Sequence, residues 1–314
     1  MRIPILLTGK NGQVGRALQP LLANLGVVTA CDRHALNLAA PDAIRKVIRA
    51  AQPRIIVNAA AYTAVDRAES DEAAATAINA DAPGVMAEEA KKLGALLVHY
   101  STDYVFDGAK QAPYVEDDPP NPQNVYGRTK LAGERAVRQS GAAHLIFRTQ
   151  WVYAREGRNF LLTILRLAAQ REELRIVSDQ IGSPTSSAEI AAGTVAILSR
   201  LLARQGEWSS QPDDSGIYHL TAGGQTSWCD FARAILDEAA HGGAPSWILA
   251  ATGGSPLITK RVVPISTAEY PTPARRPAYS VLSNARVQRQ FGVQLPDWRV
   301  QLKATFRSES TQTV

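Results

Sequence analysis

Short apolar segments alternate with longer segments of helical periodicity through the first 150 residues of this chain. The short segments are rich in β-branched residues, are bounded by turn residues and have the character of buried strands: Ile3–Thr8, Val27–Cys31, Ile55–Asn58, Leu96–Ser101 and Leu145–Arg148. The helical segments lie between them: about Gln13–Leu25, Pro41–Ala51, Glu72–Leu93 and Tyr126–Ser140. This alternation predicts an α/β fold with a doubly wound parallel sheet, in which ligands bind beyond the carboxyl ends of the strands.

The alternation stops after Trp151, and the rest of the chain is less regular. Helical periodicity returns in three segments: Arg158–Ala169, Ser187–Leu202 and Ser227–Ala240. Two segments are polar or rich in glycine and proline and are predicted to be loops: Gly206–Gly216 and His241–Leu257. Thr272–Pro277 contains prolines and two arginines, which exclude a regular helix or a central strand. We predict a smaller lobe here, with some segments returning to pack on the sheet.

The composition excludes several functional classes. The net charge is +5, but the chain has no basic run, zinc signature or RNA-binding aromatic block, so no nucleic-acid partner is predicted. The positive charge is compatible with an ordinary soluble surface or with an anionic ligand such as a pyrophosphate. Cys31 and Cys229 are too few for a disulfide framework, which fits a reducing compartment. With no signal peptide and no long apolar run, we predict a cytoplasmic protein without a membrane partner.

Three glycines with GxxGxxG spacing, Gly9, Gly12 and Gly15, follow the first predicted strand and open the first predicted helix. Such glycines allow a sharp turn, a close approach of a pyrophosphate to backbone amides, and close packing of helix on strand. The N-terminus of the helix then offers N–H groups and a partial positive charge to the phosphates. The motif alone is compatible with a purely structural turn, but its position after the first strand favours a Rossmann-like dinucleotide site.

The second and third predicted strands end in residues that bear on cofactor choice. Asp32 can accept hydrogen bonds from the adenosine ribose, which favours NADH. Arg33 is either an exposed charge or a partner for the 2′-phosphate of NADPH. Because the two indications conflict, we expect either that NADPH and NADH both serve or that NADPH is preferred. After the third strand, Ala61, Tyr62 and Thr63 belong to a segment of mostly small residues predicted to lie under a cofactor ribose, although its alanines also suit helix packing.

Tyr126 and Lys130 are four residues apart on a predicted helix and therefore lie on one face. Reduction of a carbonyl needs an acid that protonates the oxygen while a hydride reaches the carbon. A free phenol has a pKa of about 10, and a neighbouring ammonium is expected to lower it. Lys130 can also hold the nicotinamide ribose. The YxxxK pattern is common by chance, but together with the glycine turn it predicts a catalytic acid and its partner.

The fourth predicted strand ends in two hydroxyl residues followed by a carboxylate, Ser101, Thr102 and Asp103. One hydroxyl is expected to bind the substrate oxygen beside Tyr126. Strand alternation sends Ser101 and Thr102 to opposite faces, so only one of them can line the site. Thr102 is the preferred candidate and Ser101 the alternative. Asp103 is expected to bind substrate hydroxyls or to shape the loop.

Several longer motifs occur in one order along the chain: STDYVFDG (101–108), VYGRTKLAGE (125–134), FRTQWVYA (147–154), DQIGSPT (179–185) and YPTPARRPAYS (270–280). Together they resemble the dTDP-4-dehydrorhamnose reductases, a family of the extended short-chain dehydrogenases/reductases. The resemblance runs from about Ile3 to Trp298. It implies NAD(P)H-dependent reduction of the C4 ketone of dTDP-4-dehydro-L-rhamnose to dTDP-L-rhamnose, with a sugar nucleotide as the small-molecule partner.

The resemblance also implies roles by position. Tyr126 matches the proton donor of the family and Lys130 its paired lysine. The residues implied at the sugar are Thr102, Asp103 and Trp151. The residues predicted to bind the cofactor, from motifs and resemblance together, are Gly9, Gly12, Gln13, Val14, Gly15, Asp32, Arg33, Asn37, Leu38, Ala61, Tyr62, Thr63, Tyr126 and Lys130.

Two departures from the family pattern affect the cofactor and a metal. Asn37 and Leu38 stand where relatives usually carry an aspartate beside the adenine, so a charge is lost there. Some family members are described with Mg²⁺ bound by glutamates at a dimer interface. Of the aligned positions Glu189 remains, whereas Ala17 and Ala285 cannot ligate a metal. Since hydride transfer with a tyrosine acid needs no Lewis acid, we predict no metal dependence, and either a monomer or a homodimer.

Arg275 and Arg276 are the candidates for holding the pyrophosphate of the sugar nucleotide. They lie between Pro273 and Pro277 in a stiff segment, and the planar arginine fork suits phosphate. Because neighbouring side chains of an extended segment point in different directions, we expect only one of them to face the phosphates and favour Arg275. The alternative is that these arginines are solvated or tie the lobe to the sheet.

Other functions on the same fold remain as alternatives. A nucleotide-sugar epimerase or dehydratase would share the glycine turn and the Tyr/Lys pair, but Thr102 and Asp103 are followed by Tyr104 rather than by a second carboxylate, which disfavours dehydration. A non-catalytic regulatory homologue would be expected to have lost Tyr126 or Lys130. We predict an NAD(P)-binding domain over residues 1–150, with returning segments at about 186–222, and a substrate lobe over about 151–185 and 223–314.

Overall fold

A computed structural model describes residues 2–204, 214–241 and 245–307. The strands of this part of the chain are β1 (Ile3–Thr8), β2 (Gly26–Cys31), β3 (Ile55–Asn58), β4 (Leu96–Thr102), β5 (His144–Thr149), β6 (Val152–Tyr153), β7 (Glu173–Val177), β8 (Ile181–Gly182), β9 (Thr185–Ser186), β10 (Gly216–His219), β11 (Thr226–Ser227) and β12 (Arg261–Ile265).

The α-helices are α1 (Gln13–Leu22), α2 (Pro41–Ala51), α3 (Val65–Ala68), α4 (Glu72–Thr76), α5 (Ala82–Leu93), α6 (Val125–Ser140), α7 (Phe160–Ala168), α8 (Ser187–Ala203), α9 (Trp228–His241), α10 (Ser246–Thr252), α11 (Ala285–Phe291) and α12 (Trp298–Arg307). A π-helical turn over Ala77–Asp81 joins α4 to α5, and 3₁₀ turns cover Asp103–Val105 and Thr267–Glu269. No helix in these described ranges is both long and apolar enough to cross a bilayer.

A six-stranded parallel sheet in the order β2–β1–β3–β4–β5–β10 forms the centre of the described molecule. Successive residues of its strands face opposite sides, so Leu7 joins a core with α1 and α8 whereas Leu6 joins a core with α2, α5 and α6. Because helices cover both faces, the central strands consist of nearly continuous apolar residues. The predicted doubly wound parallel sheet is confirmed.

The boundaries of several predicted segments need correction. The first helix ends at Leu22 rather than Leu25, and the segment Glu72–Leu93 is interrupted by the π turn. Gly216, predicted as the end of a loop, begins β10, the edge strand beside β5. Of the predicted loop Gly206–Gly216, residues 206–213 lie outside the described ranges.

A second apolar core lies apart from the sheet, around Phe231 and Trp298, and is formed by α7, α9, α10 and α12 with the parallel pair β7–β12. The predicted loop His241–Leu257 is wrong in its middle, because Ser246–Thr252 is helical. This short helix starts after Pro245, ends at Gly253 in the left-handed conformation and buries Trp247, which outweighs the loop-like composition around it.

Candidate active site

The glycine turn follows β1 and leads into α1, and its three glycines have different surroundings. Gly9 has a φ of 73°, and a Cβ there would lie 2.7 Å from the backbone N of Ala60. A Cβ on Gly15 would lie 2.1 Å from the carbonyl oxygen of Gly9. On Gly12 the nearest heavy atom would be that same oxygen at 3.3 Å. Gly9 and Gly15 therefore shape the turn. A Cβ on Gly12 would require that oxygen to shift by a few tenths of an ångström, and the outer side of Gly12 is otherwise open.

The N-terminus of α1 is available to an anion. Gly12 is its N-cap and supplies no side-chain hydrogen bond, so the N–H groups of the first turn have no capping side chain. Gln13 accepts a hydrogen bond from Asn159 Nδ2 at 2.9 Å, which connects the turn to the start of α7. Val14 packs against the sheet core. Asn159 was not predicted from the sequence, because no local motif distinguishes it.

Asp32, at the end of β2, is held by the backbone and by a lysine. Its Oδ1 accepts the N–H groups of Ala35 and His34, both at 3.0 Å, and its Oδ2 lies 3.3 Å from Lys10 Nζ. The bond from Ala35, followed by those from His34 and Lys10, lowers the pKa of Asp32 to about 2. The Arg33 side chain is exposed. Lys10 was not predicted from the sequence, because a charged residue inside a glycine turn has no distinctive spacing.

The two residues that replace the usual adenine-side aspartate differ in exposure. Asn37 is exposed, and its side chain accepts the N–H of Ala39 at 3.0 Å. Leu38 packs partly against the core formed with α2 and α5. Neither residue presents a charge to this edge of the sheet.

The segment after β3 is fixed by an asparagine from the π turn. Asn79 Oδ1 accepts the N–H of Tyr62 at 2.9 Å, and Asn79 Nδ2 donates to the Tyr62 carbonyl at 3.1 Å. On either side of Tyr62, Ala61 is partly exposed and Thr63 is exposed. Tyr62 packs on the same small apolar cluster as Tyr126. The segment after β3 and the start of α6, both predicted to belong to the site, thus lie together. Asn79, which fixes the first of them, was not predicted from the sequence.

Tyr126 lies at the start of α6 and Thr102 at the end of β4. Asn124 caps α6 by accepting the N–H of Gly127 at 2.8 Å, which places Tyr126 in the first turn. Burial raises the pKa of the Tyr126 phenol to about 12, and a hydrogen bond with Thr102 partly offsets this increase. Thr102 Oγ1 in turn donates to Asp103 Oδ1 at 3.0 Å. The hydroxyl that meets the phenol is therefore that of the preferred residue, Thr102.

Lys130 is almost completely buried, and its ammonium is directed to the sheet. Its Nζ donates to the carbonyl of Tyr100 at 2.5 Å and lies 3.4 Å from His99 Nε2. Burial lowers the pKa of Lys130 to about 8, against an opposing effect of Glu134. The prediction that this ammonium lowers the pKa of Tyr126 is wrong for this arrangement: burial dominates and raises that pKa.

Three buried polar atoms without a hydrogen-bond partner in the described part of the chain lie at the ends of β4 and β5: Asp103 Oδ2, Thr149 Oγ1 and Gln150 Nε2. Ser101 Oγ is also unpaired but belongs to the opposite face of β4. Burial raises the pKa of Asp103 to about 6. Unsatisfied buried polar groups cost roughly 1–3 kcal/mol each, so their concentration at one place fits a ligand rich in hydroxyl groups.

Trp151 follows β5 in a constrained conformation. Its φ of 45° lies in the left-handed region, which is rare for a bulky residue. Its ring stacks on that of Trp228, with centroids 3.4 Å apart and planes 7° from parallel. A Cβ on Gly182 would lie 2.4 Å from the Trp151 ring, so only glycine fits beneath it. Trp228 was not predicted, because nothing local in the sequence indicates this long-range stack.

Arg275 and Arg276 have different environments, as their opposed directions suggested. Arg276 donates to both carboxylate oxygens of Asp66 in α3, at 2.8 and 2.7 Å. Arg275 is exposed, and its guanidinium has a contact of 3.4 Å with Gln123 Oε1. Arg276 thus ties its segment to α3, while Arg275 retains its charge for another partner.

No group of three potential metal-ligating side chains is found within residues 2–204, 214–241 and 245–307. Glu189 lies in the first turn of α8, where burial raises the pKa of its carboxyl. Ala17 packs against the sheet core.

Comparisons with known proteins agree with this geometry. Residues 1–310 match the family described as RmlD substrate binding domain. A dTDP-4-dehydrorhamnose reductase of Burkholderia thailandensis is 51% identical over 295 residues, which cover 94% of this chain and 95% of the relative. One of Escherichia coli strain K12 is 44% identical over 313 residues, or 98% and 99% of the two chains. The crystal structure of a dTDP-4-dehydrorhamnose reductase from Bacillus anthracis in complex with NADP has a TM-score of 0.84 at 33% identity and covers 98% of this chain and 99% of that one. These matches confirm the resemblance inferred from the motifs, and this chain belongs to the dTDP-4-dehydrorhamnose reductase family.

Proposed function

We propose that this chain reduces the C4 ketone of dTDP-4-dehydro-L-rhamnose to dTDP-L-rhamnose, with NADPH or NADH as reductant. The observation that carries the proposal is the arrangement of Tyr126, in the first turn of α6, and Thr102, at the end of β4, on the same sheet whose first strand leads into the glycine turn. The close relatives with that reductase activity in their names support the same reaction.

The residues present fit a nicotinamide cofactor. The open side of Gly12 and the uncapped N–H groups around Gln13 and Val14 suit its pyrophosphate. Asp32 suits the adenosine ribose, and the neighbouring charge of Arg33 suits a 2′-phosphate. Ala61, Tyr62 and Thr63 lie where the nicotinamide ribose would pass, and Lys130 is the candidate donor to its hydroxyls. When bound, the reduced nicotinamide supplies a hydride to the C4 carbon.

Tyr126 supplies the proton to the C4 oxygen in this mechanism. Its raised pKa keeps the phenol protonated at neutral pH, so the acid is present before the reaction begins. Thr102 holds the oxygen that receives the proton and keeps the phenol in place. Lys130 lies one turn further along α6, and its positive charge favours the phenolate that remains once the proton has left.

The sugar nucleotide is held on the opposite side of the site. Asp103, Thr149 and Gln150 offer buried polar atoms to sugar hydroxyls, and the partly exposed Trp151 ring, held in place by Trp228, offers an apolar contact. Arg275, with its weak protein contact, is the candidate for the dTDP pyrophosphate.

We also propose the division of the chain that the sequence predicted, with residues 1–150 and about 186–222 binding NAD(P) and the remainder forming the substrate lobe. The packing of α8 against the sheet core and the separate core around Phe231 support it. A reducing, cytoplasmic location is supported by the free buried thiols of Cys31 and Cys229. A monomer and a homodimer are both compatible with this function.

The test is to supply dTDP-4-dehydro-L-rhamnose with NADPH or NADH and to follow the absorbance of the reduced cofactor. One cofactor oxidised per dTDP-L-rhamnose formed, with the product identified by NMR, is the expected result. An epimerase would convert the sugar without net consumption of cofactor, and a regulatory homologue would show no conversion at all.

A further inference from the structure

A row of hydrogen-bonded polar side chains crosses three neighbouring strands of the sheet toward their carboxyl ends. Thr8, Asn58 and His99 are register partners on β1, β3 and β4, and each is at most 1% exposed. Thr8 Oγ1 donates to Asn58 Oδ1 at 2.7 Å, and Asn58 Nδ2 lies 3.1 Å from His99 Nδ1. The row ends at Lys130 of α6, whose Nζ lies 3.4 Å from His99 Nε2.

The hydrogen bonds of this row determine the tautomer of His99. Asn58 Oδ1 accepts both the Thr8 hydroxyl and the backbone N–H of Ala60, the latter at 3.3 Å. Since the Ala60 N–H can only donate, the oxygen of Asn58 is fixed on that side and its NH₂ group faces His99. His99 Nδ1 must then accept, and a neutral imidazole that accepts at Nδ1 carries its proton on Nε2. Burial, together with the charge of Lys130, lowers the pKa of His99 and keeps the ring neutral.

In this tautomer Nε2 of His99 is a donor that faces Lys130. Because the ammonium of Lys130 also has only donors, the two groups cannot hydrogen-bond to each other. On the sheet side the ammonium therefore finds one acceptor, the carbonyl of Tyr100, and no acceptor at His99. The other charge that acts on it is that of Glu134, one turn further along α6, whose carboxylate binds Arg148 of β5 at 2.7 and 2.9 Å. Tyr126 lies one turn earlier on the same helix.

We infer that His99 is a positioning residue for Lys130. It offers the ammonium no second acceptor beside the Tyr100 carbonyl, so the remaining donors of the ammonium are left for the Tyr126 phenolate that forms during the reaction. The ammonium is then best stabilised when the phenol has given up its proton. An interaction that strengthens as the proton is transferred accelerates proton transfer, whereas an interaction of constant strength would only aid substrate binding. This inference rests on the proposed function of Tyr126 and Lys130.

Replacement of His99 by glutamine tests the inference. A glutamine amide can turn its oxygen toward Lys130 and provide the missing acceptor. The proposed active form contains protonated Lys130, so activity falls as the pH rises through the pKa of this residue. An added acceptor raises that pKa, and the alkaline limb of kcat/KM for the reduced cofactor should move to higher pH by about one unit.

The matched control is His219→Gln, because His219 is an equally buried histidine of the same sheet, on β10, and hydrogen-bonds to Ser283. This control should leave the alkaline limb in place. A folded and active His99→Gln variant with an unmoved limb, or the same movement in the control, would overturn the inference.

A measurement on the unmodified chain does not depend on how the variant folds. The ¹⁵N shifts of the five histidines, with His99 assigned by its loss in the variant or by its coupling to neighbouring nuclei, should show a neutral ring protonated on Nε2 at neutral pH. A ring protonated on Nδ1, or a charged ring, would also overturn the inference. Absence of turnover in the unmodified chain would instead refute the proposed function and leave the tautomer result standing.

Discussion

The two sides of the candidate site, which meet at one edge of one sheet, are built by different means. On the cofactor side, the turn from Gly9 to Gly15 depends on backbone shape, and a single added carbon would collide at 2.1 Å in its tightest place. On the sugar side, Asp103, Thr149 and Gln150 are buried side chains with unpaired polar atoms in the described structure. Substitutions on the cofactor side should therefore act by steric collision. Substitutions on the sugar side should act by loss of hydrogen bonds or by a change in protonation.

The largest expected effect belongs to the proton donor between the two sides. Tyr126→Phe keeps the ring packing and removes only the phenol oxygen, so kcat should fall by roughly 10²–10⁴ while cofactor affinity hardly changes. Steady-state kinetics and calorimetry with NADPH measure the two quantities. The control is Tyr104→Phe, since this ring packs edge-on against Tyr126 with centroids 5.6 Å apart. Near-normal turnover of Tyr126→Phe, or an equal loss in the control, would remove Tyr126 from the donor role.

The steric character of the cofactor side is tested by comparing two glycines. Gly12→Val places branched carbons on the open side of the turn, where the pyrophosphate would lie, and should weaken NADPH and NADH binding by about 10- to 100-fold in a folded protein. Gly15→Val instead collides with the backbone of Gly9 and should lower stability by about 1–3 kcal/mol or more. Calorimetry and thermal unfolding distinguish the two. Unchanged cofactor affinity in folded Gly12→Val would leave this glycine a structural role only.

The arginine pair should separate substrate binding from stability. Arg275→Ala should raise KM for the sugar nucleotide about tenfold and leave cofactor KM unchanged, because it removes a charged donor. Arg276→Ala should cost about 1 kcal/mol of stability, the range for a partly exposed ion pair with Asp66. Rising salt should weaken substrate binding by the unmodified chain more than by Arg275→Ala. Unaltered substrate KM in both variants would place the anion site elsewhere.

The smallest effects are expected for cofactor choice, where the side chains are exposed. Arg33→Ala should weaken NADPH several-fold more than NADH, because only NADPH carries a 2′-phosphate. Asp32→Ala should show the opposite bias. Parallel titrations of each variant with both cofactors measure the ratio, and equal losses for the two cofactors would make the substituted residue irrelevant to the choice.

The sheet and its helices were predictable because buried parallel strands are apolar throughout and are separated by helices of the necessary length. The β7–β12 pair was not predicted. Its strand Glu173–Val177 carries charges, and Arg261–Ile265 contains Pro264, which argues against a strand when only local residues are considered. The pairing depends on contacts between segments 88 residues apart.

Within the site, too, local patterns were predictable from the sequence and long-range contacts were not. The glycine turn and the pair of Tyr126 and Lys130 are local patterns with fixed spacing, so they were visible in one sequence. The Trp228 ring, the Asp66 carboxylate and the His99 imidazole reach the site across long stretches of chain. Single residues of common types have no spacing to mark them, and only their three-dimensional contacts identify them.

The π turn over Ala77–Asp81 makes the site depend on chain length as well as on residue identity. Asn79 can hold both backbone groups of Tyr62 because the wider turn directs it there. Deleting one residue of this turn would allow α4 and α5 to continue as a single α-helix, and the side chains of the former turn, Asn79 among them, would face other directions. A one-codon deletion would thus release the segment after β3 while every remaining amino acid stays the same, a route to altered cofactor binding that no point substitution reproduces.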